Sequence, residues 1–205
     1  MDSSTFEYAL RLPNSLFKTN REKFFKAFKE QISEHDKALL LFKGKEDTPV
    51  DDTDCDYEVR QESFFYYLFG VQENGCSAAI DISEEKVILF FPKFDEIYKI
   101  WMKILSIDEV KELYPDFEVK FIDDMENWVK EFSPSQIYIN KGVNSDSGFD
   151  SIVPKFKWME EYKVETESLH SILSECRVTK SAEELKILEV ANKVSSEAHC
   201  WTMQH

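Results

Sequence analysis

Glycine and histidine are scarce in this sequence, and their scarcity excludes several kinds of site. Only five of the 205 residues are glycine, and neither a G-x-G-x-x-G nor a G-x-x-x-x-G-K-[ST] run is present. The common glycine-rich loops that bind dinucleotides and phosphates are therefore excluded. The four histidines form no H-E-x-x-H motif, and no G-x-S-x-G segment or kinase motif set occurs. The residues alone indicate a domain without an evident active site.

Long apolar runs and paired cysteines are also missing. No stretch approaches the roughly 18 apolar residues of a transmembrane helix. The N-terminal MDSSTFEYAL lacks the basic and apolar regions of a signal peptide. The four cysteines, Cys55, Cys76, Cys176 and Cys200, form no C-x-x-C pair. This pattern is typical of reduced thiols and predicts a cytoplasmic protein that does not bind membranes.

Basic residues are few relative to acidic ones. The chain has 25 Lys and Arg against 40 Asp and Glu, which gives a net charge of −15. An acidic surface repels phosphate backbones, so nucleic acid is excluded as a partner, whereas a basic protein is compatible. The acidic segment GKEDTPVDDTDCD, residues 44–56, lacks the D-x-D-x-D-G spacing of a calcium loop. We interpret it as a solvated surface loop.

Aromatic residues, in contrast, are abundant and concentrated in one segment. The chain has 17 Phe, and five of the eleven residues in RQESFFYYLFG, residues 60–70, are aromatic. Soluble proteins rarely expose such a patch, so most of these side chains are predicted to be buried. Gly70 indicates a turn with positive φ or a close backbone approach. Arg60 is predicted to pair with a carboxylate or to cap carbonyl groups.

Helix and strand patterns alternate along the chain. Residues 1–14 are predicted to be an extended lead-in with Pro13 as a breaker. Asn20 is predicted to cap a helix that places four apolar residues on one face: Phe24, Phe25, Phe28 and Ile32. Apolar runs predict five strands, at residues 38–42, 76–82, 87–91, 119–122 and 136–139. The alternation predicts an α/β domain with a mixed β-sheet flanked by helices.

Three helices are predicted between or beside these strands. Residues 96–105 place four apolar side chains on one face, namely Ile97, Ile100, Trp101 and Ile104. Ser106 and Glu109 form a capping box that begins a shorter helix, and residues 125–132 form the third.

Helical spacing returns near the C-terminus. One helix is predicted to begin at residue 166 or 167 and to run through Leu173. Ser181 and Glu184 form a second capping box, which begins a long helix with a stripe of Leu, Ala and Val residues. Since neither glycine nor proline stops this helix before His205, we expect the polypeptide to continue.

Histidine and cysteine cluster at this C-terminal end. His199, Cys200 and His205 are close in sequence but lack a convincing metal-ligand spacing. We interpret them as ordinary exposed or interface side chains and predict no metal site in the chain.

Five segments in order along the chain form a recognisable set: VRQESFFYYLFGVQENGC, the hairpin after it, the helix with Trp101 and Met102, GVNSDSG, and ECRVTKSAEELKILEVANKVSSEAH. Together they resemble the N-terminal half of the eukaryotic prolidase (Xaa-Pro dipeptidase) family, within the aminopeptidase P and creatinase superfamily. The resemblance implies a creatinase-type N-terminal domain over residues 1–174, with a ribonuclease H-like mixed sheet. Residues 175–205 would be a linker and the first helix of a pita-bread catalytic domain.

The resemblance also implies a division of labour between two domains. In the family, the catalytic domain holds two metal ions, usually manganese, through two Asp, one His and two Glu, and it hydrolyses dipeptides that end in proline. Those ligands lie outside this chain, so the chain itself would be inactive. Its partners would be its own catalytic domain, a second copy in a homodimer, and the dipeptide substrate of the full-length enzyme.

Individual residues take roles from the same resemblance. Trp101 matches a tryptophan near the neighbouring subunit's substrate pocket, where it would restrict the pocket to dipeptides. The alternative for Trp101 is a place in a helix core beside Ile97 and Ile104. Four further residues match a motif that we interpret as structural: Arg60, Gln61, Ser63 and Gly70. Arg60 would anchor the aromatic segment, and Ser63 would cap a turn.

Two other functions stay open. The chain could belong to an aminopeptidase P, which cleaves longer peptides. It could also be an inactive creatinase-like module whose acidic surface binds a basic protein.

Overall fold

One six-stranded mixed sheet organises the chain. The computed structural model describes residues 12–33 and 36–204, so most of the lead-in predicted for residues 1–14 lies outside it. The strands are β1 (Ala38–Lys43), β2 (Ser77–Asp81), β3 (Lys86–Phe91), β4 (Glu118–Phe121), β5 (Gln136–Ile139) and β6 (Val164–Glu165). Their order across the sheet is β4-β3-β2-β1-β5-β6.

Strand directions confirm the mixed sheet. β2 runs antiparallel to both β1 and β3, whereas β5 is parallel to β1 and β4 is parallel to β3. β6 adds a short parallel edge beside β5. The predicted hairpin between β2 and β3 is present, and Glu85 in its turn has a φ of +54°.

The described residues form six α-helices. They are α1 (Asn14–Gln31), α2 (Ser63–Phe69), α3 (Ile107–Leu113), α4 (Met125–Phe132), α5 (Ser168–Val178) and α6 (Ala182–Gln204). Three short 3-10 helices cover Glu96–Ile100, Ile122–Asp124 and Lys157–Glu161. Of the described helices, none has both the length and the apolar character needed to cross a bilayer.

The side chains of β1 alternate between two separate cores. Leu40 belongs to the core that α1, α2 and α5 complete on one face. Leu39 and Leu41 belong to the core on the other face, with Val129 of α4 and Trp158. A strand that is buried on both faces must be continuously apolar, which explains the ALLLF run and confirms the predicted central strand.

Asn20 is not the helix cap that its sequence position predicts. The helix α1 begins at Asn14, directly after Pro13, and Asn20 lies in its second turn with 2% of its surface exposed. Its side chain instead donates a buried hydrogen bond to the backbone oxygen of Tyr67. The amide group is therefore used for a tertiary contact, which local sequence patterns do not show.

The prediction of a helix over residues 96–105 is also wrong. Only the 3-10 helix Glu96–Ile100 forms, and none of its residues is buried. Asp95 caps it by accepting a hydrogen bond of 3.0 Å from the Ile97 backbone N–H. The apolar spacing is real, but the described residues provide no core for this face to pack against.

The other helix signals agree with the structure in most positions. Ser106 and Glu109 form the predicted capping box at α3, and α4 covers the predicted residues 125–132. The helix α5 continues past the predicted end at Leu173 to Val178. It therefore crosses the boundary at residue 174 that we drew between the two predicted domains, and that division stays a prediction.

Candidate functional site

The described residues include no cluster of metal-binding side chains. No group of three or more His, Cys, Asp or Glu among residues 12–33 and 36–204 could hold a metal ion. All four cysteines are free, and burial raises the pKa of Cys76 and of Cys176, so neither thiol is a ready nucleophile. The candidate functional features are consequently surfaces and the residues that shape them.

Burial of the aromatic segment is confirmed for most of its side chains. Phe65, Tyr67, Leu68 and Phe69 of α2 are buried in the core between α1, α5 and the sheet. Phe65 and Phe69 meet edge to face, with their ring centroids 4.9 Å apart. The segment thus acts as a plug in one core of the domain.

Glutamine and glutamate side chains, not Arg60 and Ser63, hold this segment in place. The Gln61 side-chain oxygen accepts hydrogen bonds from the backbone N–H groups of Lys45 (2.6 Å) and Glu62 (2.9 Å), and its amide donates to the Glu73 carbonyl (3.1 Å). Glu62 caps α2 by accepting a 2.7 Å hydrogen bond from the Phe65 backbone N–H. Ser63, which we expected to cap a turn, is instead the exposed first residue of the helix.

The capping carboxylate sits in an unusual electrostatic environment. Burial raises the pKa of Glu62, and hydrogen bonds from backbone N–H groups and the nearby Arg177 offset part of that effect. Glutamate is not among the preferred N-cap residues, so sequence reasoning passed over it.

Arg21 takes the anchoring role that we expected of Arg60. Its buried guanidinium donates hydrogen bonds to the Leu68 carbonyl (3.0 Å) and the Asp116 carboxylate (3.2 Å), and it lies 4.8 Å from the centre of the Phe117 ring. Burial lowers the pKa of Arg21, and Asp116 partly restores it. Arg60 is exposed and forms no ion pair or hydrogen bond with any residue that the structure describes.

Gly70 is required where it stands. It ends α2 in the left-handed conformation, with a φ of +66°. A Cβ atom there would lie 2.4 Å from Cε2 of Phe17. Positive φ and close approach were the two reasons that the sequence offered for this glycine, and both are confirmed.

An exposed apolar ridge follows β3. It consists of Ile97, Tyr98, Ile100, Trp101 and Met102. Trp101 is 68% exposed and Ile100 is 73% exposed. Trp101 contacts the Tyr98 ring edge to face, with centroids 6.4 Å apart. Trp101 is thus not in the core of this chain, and a contiguous apolar surface of this kind indicates a binding partner.

A second surface feature is a charged cleft. It encloses about 1290 Å³ between α1, the residues before α2, and the beginning of α6. Eight charged residues line it: Lys45, Glu58, Arg60, Glu62, Asp150, Arg177, Lys180 and Glu184. Four positive and four negative side chains leave the lining balanced, in contrast to the acidic chain as a whole.

The helix α6 projects from the domain. Ser181 and Glu184 form the predicted capping box. Val190 is its one buried side chain among the described residues, and every residue from 191 to 204 is exposed. His199 and Cys200 are exposed on this part of the helix, while His205 lies outside the described residues.

Comparisons with known proteins place the fold and the family. The family description "Aminopeptidase P, N-terminal domain" matches residues 17–138. Xaa-Pro dipeptidases from Pongo abelii and Homo sapiens are each 35% identical over 191 residues, or 93% of this chain. The structure of Pseudomonas aeruginosa aminopeptidase PepP superposes with a TM-score of 0.68 at 20% identity, covering 92% of this chain and 44% of that one.

The chain is much shorter than the relatives that it matches. The chain spans 39% of the length of the two Xaa-Pro dipeptidases. The matched family description covers the greater part of the sheet, from α1 to β5. The chain therefore belongs to the Xaa-Pro dipeptidase and aminopeptidase P family, and it carries the N-terminal domain of that family.

Proposed function

We propose that this chain is the non-catalytic N-terminal domain of a manganese-dependent Xaa-Pro dipeptidase, which hydrolyses dipeptides with a C-terminal proline. The similarity to Xaa-Pro dipeptidases over 93% of the chain supports the substrate class. The cytoplasm is the proposed location, because the cysteine pattern is typical of reduced thiols.

Catalysis is assigned to a C-terminal domain outside this chain. The carboxylates and histidines of the described residues do not fit a two-metal centre, since no three of them could hold even one ion. The chain's own contribution is to shape and close the site that the catalytic domain provides.

The apolar ridge carries the proposal for how that closure occurs. Its Trp101 is 68% exposed in a domain whose other aromatic-rich segment is buried. We assign the ridge to the contact with a second copy of the protein, where Trp101 would form a wall of the neighbouring substrate pocket. The apolar side chains would then leave water on dimerisation, which stabilises the dimer.

Peptide hydrolysis by the full-length protein tests the assignment. We expect cleavage of Gly-Pro that depends on added manganese, and little cleavage of a tripeptide with proline in the second position. Inactivity toward both peptides, with and without manganese, would contradict the proposal and favour the acidic module that binds a basic protein. Preference for the tripeptide would assign an aminopeptidase P instead.

A further inference from the structure

Three residues separate the domain from its projecting helix. The helix α5 ends at Val178 and α6 begins at Ala182. We call residues 176–184 the junction. Since α6 is exposed beyond Val190, its direction relative to the sheet depends on the contacts at the junction and on those of its residues up to Val190.

The buried residue Tyr67 forms a hydrogen bond with the beginning of the junction. Its hydroxyl donates a 3.2 Å hydrogen bond to the carbonyl of Cys176, one of the last four carbonyls of α5, which have no partner within an α-helix. Its own carbonyl accepts the 3.0 Å hydrogen bond from Asn20 of α1. Tyr67 thereby links α1, α2 and the end of α5 through two buried hydrogen bonds.

The side chain of Arg177 lies against two aromatic rings of α2. The Arg177 guanidinium lies 4.9 Å from the centre of the Phe64 ring and 5.8 Å from that of Tyr67. Such contacts orient a guanidinium over a ring face and are stronger when they are partly desolvated. The residue after Cys176 is therefore held against α2 as well.

The hydrogen bonds between the junction and α1 are exposed. Lys23 donates to the Thr179 carbonyl (2.5 Å), and Ser15 donates to the Glu183 carboxylate (2.6 Å). Exposed hydrogen bonds compete with water and fix geometry less firmly than buried ones. Among the polar contacts between the junction and other helices, those of Tyr67 and Arg177 are thus the best shielded from water, and within α6 itself Val190 is the buried side chain.

We propose that Tyr67 is a positioning residue whose hydroxyl, together with the Arg177 guanidinium, fixes the direction of α6 relative to the sheet. The aromatic segment then has a second role beyond filling the core. If α6 leads into the catalytic domain, a part of the inference that rests on the proposed function, Tyr67 also sets how that domain faces the apolar ridge.

The cysteines of the chain allow a direct measurement of this direction. Cys55 and Cys200 are exposed, whereas Cys76 and Cys176 are buried. Spin labels on the two exposed thiols therefore report the distance between the domain and the far part of α6 by double electron–electron resonance. Cys200 lies about 27 Å along the helix from Ala182, so a tilt of about 10° at the junction moves it by about 5 Å.

Removal of one hydroxyl group is the test. In the 205-residue chain, we expect Tyr67→Phe to shift or broaden the Cys55–Cys200 distance distribution by about 5 Å. Tyr66→Phe is the matched control on the same helix, because the Tyr66 hydroxyl contacts Gln72 and not the junction. A Tyr67→Phe distribution that superimposes on that of the parent would overturn the proposal.

A second variant decides the case if Tyr67→Phe does not fold, as judged by circular dichroism. Arg177→Lys keeps the charge but loses the planar contact with the two rings. We expect it to broaden the distance distribution, and an unchanged distribution would again overturn the proposal. Neither outcome depends on peptidase activity, so failure of the proposed function would be recognised separately by the hydrolysis assay.

Discussion

The side chain of Asn20 donates a 3.0 Å hydrogen bond to the backbone oxygen of Tyr67, a residue 47 positions later in the chain. Arg21, the next residue, bonds the carbonyl of Leu68 in the same way. These two carbonyls belong to the last turn of α2, where a helix has no backbone donors left to offer. Two adjacent residues of α1 thus complete the end of the aromatic helix inside the core.

Replacement of Asn20 should be costly for this reason. Asn20→Ala leaves the Tyr67 carbonyl buried without its donor, which should lower the free energy of unfolding by about 1 to 3 kcal/mol. Urea denaturation monitored by circular dichroism measures the change. Asn192→Ala, on the exposed part of α6, is the control and should change stability little. Equal stabilities for the two variants would show that the buried hydrogen bond contributes nothing.

Alanine substitutions at two glycines with similar φ angles distinguish the cost of backbone strain from the cost of a steric clash. Gly70 and Gly148 have φ values of +66° and +72°, but only at Gly70 would a Cβ atom meet another group, the Phe17 ring. Gly148→Ala should cost about 1 to 2 kcal/mol from the left-handed conformation alone. Gly70→Ala should cost about 1 to 3 kcal/mol more, because the Phe17 ring must move. Thermal unfolding of both variants provides the comparison, and equal losses would rule out the collision.

Two capping glutamates should respond to pH in opposite directions. For Glu62, burial raises the pKa in the folded state. An acid with a raised folded-state pKa binds its proton more tightly when folded, so its contribution to stability falls as pH rises from the unfolded-state pKa through the folded-state value. Glu62→Gln keeps an acceptor for the Phe65 N–H and removes the charge. We expect this variant to lose less stability than the parent as pH rises through that range.

Glu109 is the counterpart at α3. Hydrogen bonds with Lys103 and with Ser106 lower its pKa to about 2. Its contribution is therefore present above the unfolded-state pKa near 4.5 and is lost as pH falls toward about 2. Glu109→Gln should flatten the acid side of the stability profile and leave the effect of Glu62 intact. If Glu62→Gln and Glu109→Gln changed the pH dependence of stability in the same way, the pKa values of the two glutamates would not be shifted in opposite directions.

Local patterns were sufficient for elements with a regular spacing of apolar residues. The strand β1 and the helix α4 match their predicted positions closely, because an unbroken apolar run and a tight amphipathic repeat have few other interpretations. The capping boxes at Ser106 and Ser181 were found for a similar reason, since each is complete within four residues.

Long-range contacts account for what the sequence did not reveal. Arg21 reaches Asp116 across 95 residues, and Asn20 resembles a cap because the sequence does not show where α1 begins. The ridge after β3 has the spacing of a core helix, yet Ile100 and Trp101 face outward. Apolar spacing indicates that a surface will be covered, but it does not say whether this chain or another provides the cover.

Trp101 provides the test of what covers the ridge. In the full-length protein, Trp101→Ala removes the largest exposed apolar side chain of the ridge. If a second copy packs there, truncation of a central tryptophan should weaken the dimer on the order of 30-fold, measured by sedimentation velocity. If Trp101 also forms a wall of the neighbouring pocket, kcat/KM for Gly-Pro should fall and cleavage of tripeptides should increase relative to dipeptides.

The control is another exposed aromatic residue, in a loop that follows β5, which β2 and β1 separate from β3 in the sheet. Phe149 is 78% exposed in the loop after β5, so Phe149→Ala removes a comparable apolar surface from a different place. It should leave both the dimer and the substrate preference close to those of the parent. If Trp101→Ala has the dimer affinity, the kcat/KM and the dipeptide preference of the parent, the ridge is not the contact that closes the site. Weakened dimerisation with unchanged kinetics would retain the ridge as an interface and remove Trp101 from the pocket, because a wall of the pocket must affect which peptides enter.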